Sequence, residues 1–442
     1  MASLTALAAP LRAQQALSLQ EALRLALAQN PVTRASQAAE SGAAERLKQA
    51  GAAYLPTLNY SESLQWGTNP VYVFGSLLEQ HRFQSNNFDL QSLNRPDPLL
   101  NFASQLTMEQ TLFDGNRSRQ RLRATSTALD MTKQQTRQSE MDLLAAVTEA
   151  YYAAVLAEEE LRVAEESLAT AEADLERAQA LRDSGMATDA DVLSLRVSRT
   201  TVMDRRIRSE NSLLVARARL NDALGAPLET DYALSTPLQP ATAVALTLEQ
   251  LETLALRERP EAAQAGMALT LAQTDWNLAR SAFLPEVSVH GVFEANRHSF
   301  AAGGGTNWMT GATLRWNLFN GFSDRARIAE ASFLRTQREE EQRKITSGLR
   351  LQVRQSYLDL QAANSRMDVA QASIAEAEEN HRIIANRYEA GLSNATDLLR
   401  SQTAWSEAKT RYLAAVFDQR VATLRLERAA GTLTVSSEAV TP

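Results

Sequence analysis

Cysteine is absent from the 442 residues. That excludes disulfides, thiolate metal sites, a cysteine nucleophile and a lipid-bearing N-terminal cysteine in one step. Histidine is scarce as well: His81, His290, His298 and His381 are scattered, and no His/Asp/Glu cluster has ligand spacing. The glycine run "AGGGTN" (302–307) precedes a strand pattern rather than a helix, so it is not a phosphate loop. No enzyme, metal or cofactor is expected from these residues. A basic excess is also missing. The formal net charge is −7, and phosphate binding needs a basic face, so no nucleic acid partner is expected.

Long apolar runs are lacking too. No stretch approaches the ~18 apolar residues of a spanning helix, so any membrane crossing has to be made by strands. Proline is missing between Pro98 and Pro227 and between Pro285 and Pro442. Within 116–224 and 322–430 the only glycines are Gly185, Gly348 and Gly391. Alanine, leucine, glutamate, arginine and glutamine dominate both stretches, which favours very long helices. The opening "MASLTALAAPLRAQQ" resembles the apolar part and cleavage region of a secretory signal, cut after Ala13, although the basic n-region is missing.

What is present is an internal repeat. "LSLQEALRLALAQNP" (17–31) pairs with "LTLEQLETLALRERP" (246–260), and "AAYLP" (52–56) with "SAFLP" (281–285), at an offset of 229. Farther on, "QTLFDG" (110–115) pairs with "WNLFNG" (316–321), Gly185 with Gly391, Asp191 with Asp397 and Gly225 with Gly431, at an offset of 206. The first copy therefore carries 23 more residues than the second, the difference between the offsets, and they enlarge one hairpin loop. Two equivalent halves are expected: 17–225, with a strand hairpin in 57–112 and a helical hairpin in 116–224, and 246–431, with hairpins in 286–318 and 322–430. A linker, 226–245, joins them, and 1–16 and 432–442 are tails.

The strand segments alternate. Leu58, Tyr60 and Leu64 oppose Asn59, Ser61 and Ser63; Leu106, Met108 and Leu112 oppose Gln105, Thr107, Glu109 and Thr111. In the second half Val287, Val289 and Phe293 oppose Ser288, His290 and Glu294, while Ala312, Leu314, Trp316 and Leu318 oppose Thr313, Arg315 and Asn317. Period two with one polar face describes a wall with a wet side and an apolar side. Glu62 is an exception, since it falls on the apolar side. Four strands of about ten residues match a tilted bilayer crossing, yet four cannot enclose a lumen, so closure requires several subunits. The blander alternative is a pair of hairpins on a soluble core.

The helices carry a heptad seam. Val147, Ala154, Leu161, Leu168 and Leu175 alternate with Ala150, Ala157, Ala164, Ala171 and Ala178. In the second half Val353, Leu360, Met367, Ile374 and His381 alternate with Ser356, Ala363, Ala370, Ala377 and Ile384. Alanine at one core position lets helix backbones approach closely. Ordinary antiparallel packing within a hairpin accounts for any single residue of the seam; the length points to a conduit.

On the two-fold repeat, the "YLP" and "FLP" strand starts, the "LFDG" and "LFNG" exits and the "YEAGLSNATDLL" break, residues 17 to 431 resemble the TolC-type outer-membrane efflux protein family. The resemblance implies an α+β membrane protein of the Gram-negative outer membrane. Three subunits would each give four strands to a shared twelve-stranded barrel, with long antiparallel coiled-coil helices forming a periplasmic tunnel. It further implies a homotrimer in outer-membrane lipid, serving as exit duct for a periplasmic adaptor (membrane fusion protein) and an inner-membrane transporter in efflux or type I secretion. The helix-to-helix turns would form the docking tip, at Gly185, Met186, Ala187 and Thr188 and at Gly391, Leu392, Ser393 and Asn394.

By the same resemblance, Asp191 and Asp397 match tip positions, and Asp397 matches a pore-facing aspartate of some members. Where those members place a second aspartate, this chain has Arg400, so the three are gate candidates. The plain alternative for both aspartates is helix capping, worth ~0.3–1 kcal/mol. Gly185 and Gly391 also have a simple role, ending a long helix in a left-handed residue. From another functional class, the competing reading is a soluble coiled-coil scaffold. It explains the heptads but not the alternating strands or Trp66, Trp308 and Trp316, which suit bilayer interfaces.

Overall fold

The computed structural model describes residues 15–242, 244–437 and 440. Cleavage after Ala13 falls outside the described residues. The chain divides into two compact units, each drawn from both halves of the sequence: 1–40, 132–266 and 341–442 in the first, 41–131 and 267–340 in the second. Among the described residues no helix is long and apolar enough to cross a membrane.

In the first unit, strand β1 (Gln15–Leu17) pairs in parallel with β4 (Tyr232–Leu234), so part of the expected N-terminal tail and part of the linker are ordered together. Helix α1 (Leu19–Gln29) opens with a reciprocal Ser18/Glu21 capping box, and α7 (Leu248–Glu258) repeats it with Thr247 and Gln250. Both are followed by a proline at the first position of the next helix, α2 (Pro31–Gly51) and α8 (Pro260–Ser281), where the missing N–H costs nothing.

The long helices are α5 (Arg117–Asp183), α6 (Asp189–Leu224), α9 (Ser323–Glu389) and α10 (Ala395–Ala430). Two have 67 residues and two have 36. At ~1.5 Å per residue the longer ones extend about 100 Å. Seam residues Val147, Ala154, Ala157, Ala164, Ala171, Ala178, Val353, Leu360 and Ala363 are buried.

One apolar core gathers Leu19, Leu23, Val147, Tyr151, Tyr152, Leu220 and Leu224, with Leu433 and Val440 of the C-terminal segment also packed into it. Tyr151 ties the core to the strand pair: its hydroxyl donates to the Leu17 carbonyl at 2.8 Å and accepts from the Thr236 N–H at 3.0 Å. The linker is strapped down by Gln419, bonded both ways to Ala241, and by buried Arg420, whose guanidinium donates to the Gln239 carbonyl.

The second unit holds a four-stranded antiparallel sheet in the order β2 (Thr57–Gly67), β3 (Leu99–Phe113), β5 (Glu286–Arg297), β6 (Gly305–Arg315). The register sets Leu58 opposite Met108, Tyr60 opposite Leu106, Leu106 opposite Phe293, and Phe293 opposite Trp308. Residues directly opposite share a face, so these side chains form one continuous apolar surface. Glu62 lies in that surface and is satisfied there. It pairs with Arg297 at 2.9 Å and accepts from Tyr60 at 2.7 Å and from Ser104, all on the same face.

Three expectations need correction. The wall expected to include Leu112 is interrupted by a bulge between Thr111 and Phe113, and Phe113 takes the apolar place opposite Val287. The last strand ends at Arg315, short of Trp316 and Leu318. Asn317 and Asn320 bond to Asp324 at the start of α9, and Gly321 and Phe322 turn the chain with positive φ. Finally, the surplus residues of the first hairpin are not a plain loop. They form α3 (Pro70–Glu79), a 3-10 turn (Ser85–Phe88) and α4 (Leu90–Asn94). Asn69 followed by Pro70 starts α3, and Asp89 caps α4 with its carboxylate on the Gln91 and Ser92 N–H groups.

Left-handed glycines follow all four long helices, Gly185, Gly225, Gly391 and Gly431. A Cβ on Gly431 would lie 2.9 Å from the Arg259 nitrogen, whereas one on Gly391 would meet nothing within 4 Å. The left-handed backbone alone costs an alanine ~1–2 kcal/mol. Gly391→Ala is therefore expected to destabilise by that amount and Gly431→Ala by clearly more, as read from chemical denaturation midpoints of the extracted protein.

Candidate functional site

The two helical turns are built alike. Gly185 (φ 77°) donates to the Arg182 carbonyl at 2.8 Å and Met186 to Leu181 at 2.8 Å; Gly391 (φ 70°) donates to Tyr388 at 3.0 Å and Leu392 to Arg387 at 2.8 Å. This double bond pattern closes a helix C-terminus on a residue only glycine occupies without strain. Met186 and Leu392 are 67% and 69% exposed, an apolar tip on each turn. Ala187 and Ser393 are half-buried, and Thr188 and Asn394 are the exposed N-caps of the helices that follow.

Beneath the turns one small core brings the two hairpins together: Ala178, Val192, Leu195, Tyr388, Ala395 and Leu398. Asp191 sits in a reciprocal capping box, accepting from the Thr188 N–H at 3.0 Å and hydroxyl at 2.7 Å and donating its N–H to that hydroxyl. Asp397 donates its N–H to the Asn394 side chain at 2.8 Å, and its carboxylate accepts from Ser393 at 3.4 Å. Asp191 thus completes the cap of its own helix, whereas the cap of α10 is Asn394 and the Asp397 carboxylate reaches only the Ser393 hydroxyl. Arg400 is exposed and, among the described residues, forms no ion pair within the chain, with Asp397 or any other carboxylate.

Four residues that sequence reasoning passed over lie just behind these turns. Asp174 on α5 is 3% exposed. Arg177 reaches it at 3.2 Å and, on its other side, reaches Glu389 of α9 at 3.2 Å. Burial pushes the Asp174 carboxyl up, against the pull of Arg177. Burial also pushes the Tyr388 phenol up, followed by the nearby Asp191 and Asp174 carboxylates. The only sequence signal was a charged residue directly ahead of Leu175 in the seam, with a cation three positions on. Its partner Glu389 is remote in sequence.

The sheet presents two further features. Its apolar face is bare: Leu58, Tyr60, Leu64, Trp66, Trp308 and Leu314 are each 60–76% exposed. Both edge strands, β2 and β6, eleven residues each, have no neighbour on their outer side among the described residues, leaving the outward-pointing half of their backbone groups open. Soluble proteins rarely leave either feature uncovered.

A family model described as outer membrane efflux protein matches residues 22–226 and 251–432. The chain belongs to that family. It is an outer-membrane protein, and the soluble scaffold reading falls with that membership. Similar curated proteins include CyaE of Bordetella pertussis, 29% identical over 345 residues that cover 76% of this chain and 72% of CyaE. Alkaline protease secretion protein AprF of Pseudomonas aeruginosa is 25% identical over 347 residues, covering 75% of this chain and 70% of AprF. Among solved structures, the Campylobacter jejuni CmeC outer membrane channel superposes with a TM-score of 0.79 at 15% identity, covering 95% of this chain and 87% of CmeC. The open-state Neisseria gonorrhoeae MtrE outer membrane channel gives 0.76 at 18%, covering 94% and 91%. At these identities the structures establish a shared fold.

A raised carboxyl pKa means that Asp174 favours the folded state most below the ordinary carboxylate range, and that this contribution is lost as pH rises through its raised value. Asp174→Asn is expected to flatten the pH dependence of local opening, while Arg177→Ala, which strands a buried carboxylate, weakens the α5/α9 junction by about 1–3 kcal/mol. Hydrogen exchange at amides 386–390 between acid and neutral pH checks both; exchange matching the parent in both variants counts against the coupling.

Proposed function

We infer that three copies of this chain close their sheets edge to edge into one twelve-stranded barrel in the outer membrane. The two halves, 17–225 and 246–431, act as equivalent repeats, each giving two strands and one helical hairpin. The observation that carries the reading is the sheet itself, with a bare apolar face for lipid and two open edges that β6 of one copy and β2 of the next can satisfy. A lipid-exposed edge is forbidden because its backbone groups have no other partner, so closure by symmetry is the one arrangement that satisfies all four strands. The helices then continue as a periplasmic tunnel, and the duct passes cargo without chemistry on it.

The turns at 185–188 and 391–394 form the tip where a periplasmic adaptor docks, itself bound to an inner-membrane pump. The exposed Met186 and Leu392 give that tip an apolar contact of the kind a partner helical hairpin covers. Asp191, Asp397 and Arg400 are the gate candidates. Because Arg400 has no partner within its own chain, it is free to meet Asp397 of a neighbouring copy across the pore. The names of AprF and of the related proteases secretion protein PrtF favour secreted polypeptide as the cargo.

Detergent extraction should yield a trimer that forms channels in planar bilayers; a soluble monomer without channel activity would overturn the reading. In those channels Asp397→Ala and Arg400→Ala are each expected to raise single-channel conductance, and unchanged conductance in both leaves only the capping role. Gly391→Pro should impair cross-linking to the adaptor while leaving trimers intact.

A further inference from the structure

The surplus segment of the first hairpin leaves the sheet at the end away from the helices, since α2 precedes β2 and α5 follows β3 at the other end. It does not project away from the sheet. Helix α3 packs on β3, β5 and β6, and a cleft of about 440 Å³ between the helix and the sheet is lined by Ser61, Ser63, Tyr72, Gly75, Glu79 and Asn101. Ser61 and Ser63 of β2, Asn101 of β3 and Glu294 of β5 all belong to the polar face, opposite the apolar surface.

The seat is built from buried polar groups. The Tyr72 hydroxyl donates to the Gln65 carbonyl at 2.8 Å. Gln80, 2% exposed, donates to the Leu100 carbonyl at 3.0 Å and to the Asn101 side chain at 2.8 Å. Asn101 passes the chain to fully buried Asn296 at 2.6 Å, and Asn296 to Glu294 at 2.8 Å. Every link is satisfied, so the network fixes one position of the helix rather than merely tolerating it.

The glycine run at 302–307 completes the seat. A Cβ on Gly305 would overlap the Glu79 carbonyl at the end of α3, and one on Gly304 would overlap the Asn296 carbonyl. Those glycines, at the end of the short connection of the second hairpin and the start of β6, let the end of α3 lie directly on the sheet. Two loops from opposite halves of the chain are therefore fitted to each other.

We propose, resting on the barrel reading above, that residues 68–98 form an exit constriction: α3 lies across the lumenal face at the outer mouth and, present in three copies, sets an upper size limit on what enters or leaves. Small molecules and extended polypeptide pass; bulky folded solutes do not. Glu79 and Glu294 both line this cleft, so the seat carries two carboxylates.

The absence of cysteine makes the test clean. Thr107→Cys places a thiol on the polar face, farther from the mouth than the seat, and Ala301→Cys places a control thiol on the short outer connection. Intact cells are treated from outside with a bulky polyethylene-glycol maleimide and with a small charged maleimide. The bulky reagent is expected to modify Thr107→Cys at least about tenfold more slowly than it does when residues 68–98 are replaced by the His298–Gly304 connection. The small reagent should differ little. Tyr72→Phe combined with Gln80→Leu, which removes the donors of the seat and leaves every strand intact, should give the same acceleration and stands alone if the loop replacement does not assemble. Equal bulky labelling of Thr107→Cys in parent and variants, with Ala301→Cys labelled throughout, overturns the constriction and spares the channel. If Ala301→Cys is not labelled on intact cells, the outward orientation fails and the barrel reading fails with it.

Discussion

Backbone hydrogen bonding at the margins of one small sheet governs the rest of this molecule. Four strands with opposite faces cannot roll into a cylinder, and alternate residues along each eleven-residue edge keep donors and acceptors that water satisfies and hydrocarbon does not. The apolar face excludes water as a permanent surroundings, and the open edges exclude lipid. The proposed closure by further copies of the same sheet would meet both demands. The Glu62–Arg297 pair shows how strictly the rule holds within the wall: charges on the apolar face are tolerated because they neutralise each other and are hydrogen-bonded by Tyr60 and Ser104.

The helical part solves a different problem, which is to hold helices of about 100 Å in register without a thick core. Alanine lines much of the seam, so each residue buries little area. Polar layers then fix the pairing. Near the tip, His381 stacks on Trp405 at 5.2 Å and contacts Ser401, while Lys409 lies 4.0 Å above the same indole and pairs with Glu166 of α5. Burial lowers the His381 pKa, which disfavours a second positive charge beside that cation. Such a layer is weaker than leucine packing and more particular about partners.

The sequence made some of this legible for physical reasons that can be named. Helix ends were readable because glycine at Gly185, Gly225, Gly391 and Gly431 is needed for a left-handed residue, and all four have positive φ. Strand faces were readable because alternation has a fixed period, up to the bulge after Thr111, which depends on a neighbouring strand's register. The helices of the surplus segment were missed: Asn69–Pro70 and Asp89 are cap signals, but α3 is ten residues long and held by contacts with three strands. The Asp174–Arg177–Glu389 group was invisible because its members come from different halves of the chain. The gate proposed for Asp191, Asp397 and Arg400 would be made between copies, so no spacing within one chain encodes it.

The matched helix lengths constrain the descent of this protein. Adding one residue to α6 would shift everything beyond it by ~1.5 Å and rotate it by about a quarter turn or more, taking Val192 and Leu195 out of the core they share with Ala395 and Leu398. Such a change survives only with a compensating one in α10. Insertions and deletions in the two hairpins therefore have to be inherited as pairs, while the outer connections of the sheet are free to differ, as 68–98 and 298–304 already do. Divergence among related chains should accordingly appear as variation in outer-loop length set against long helices of nearly constant length.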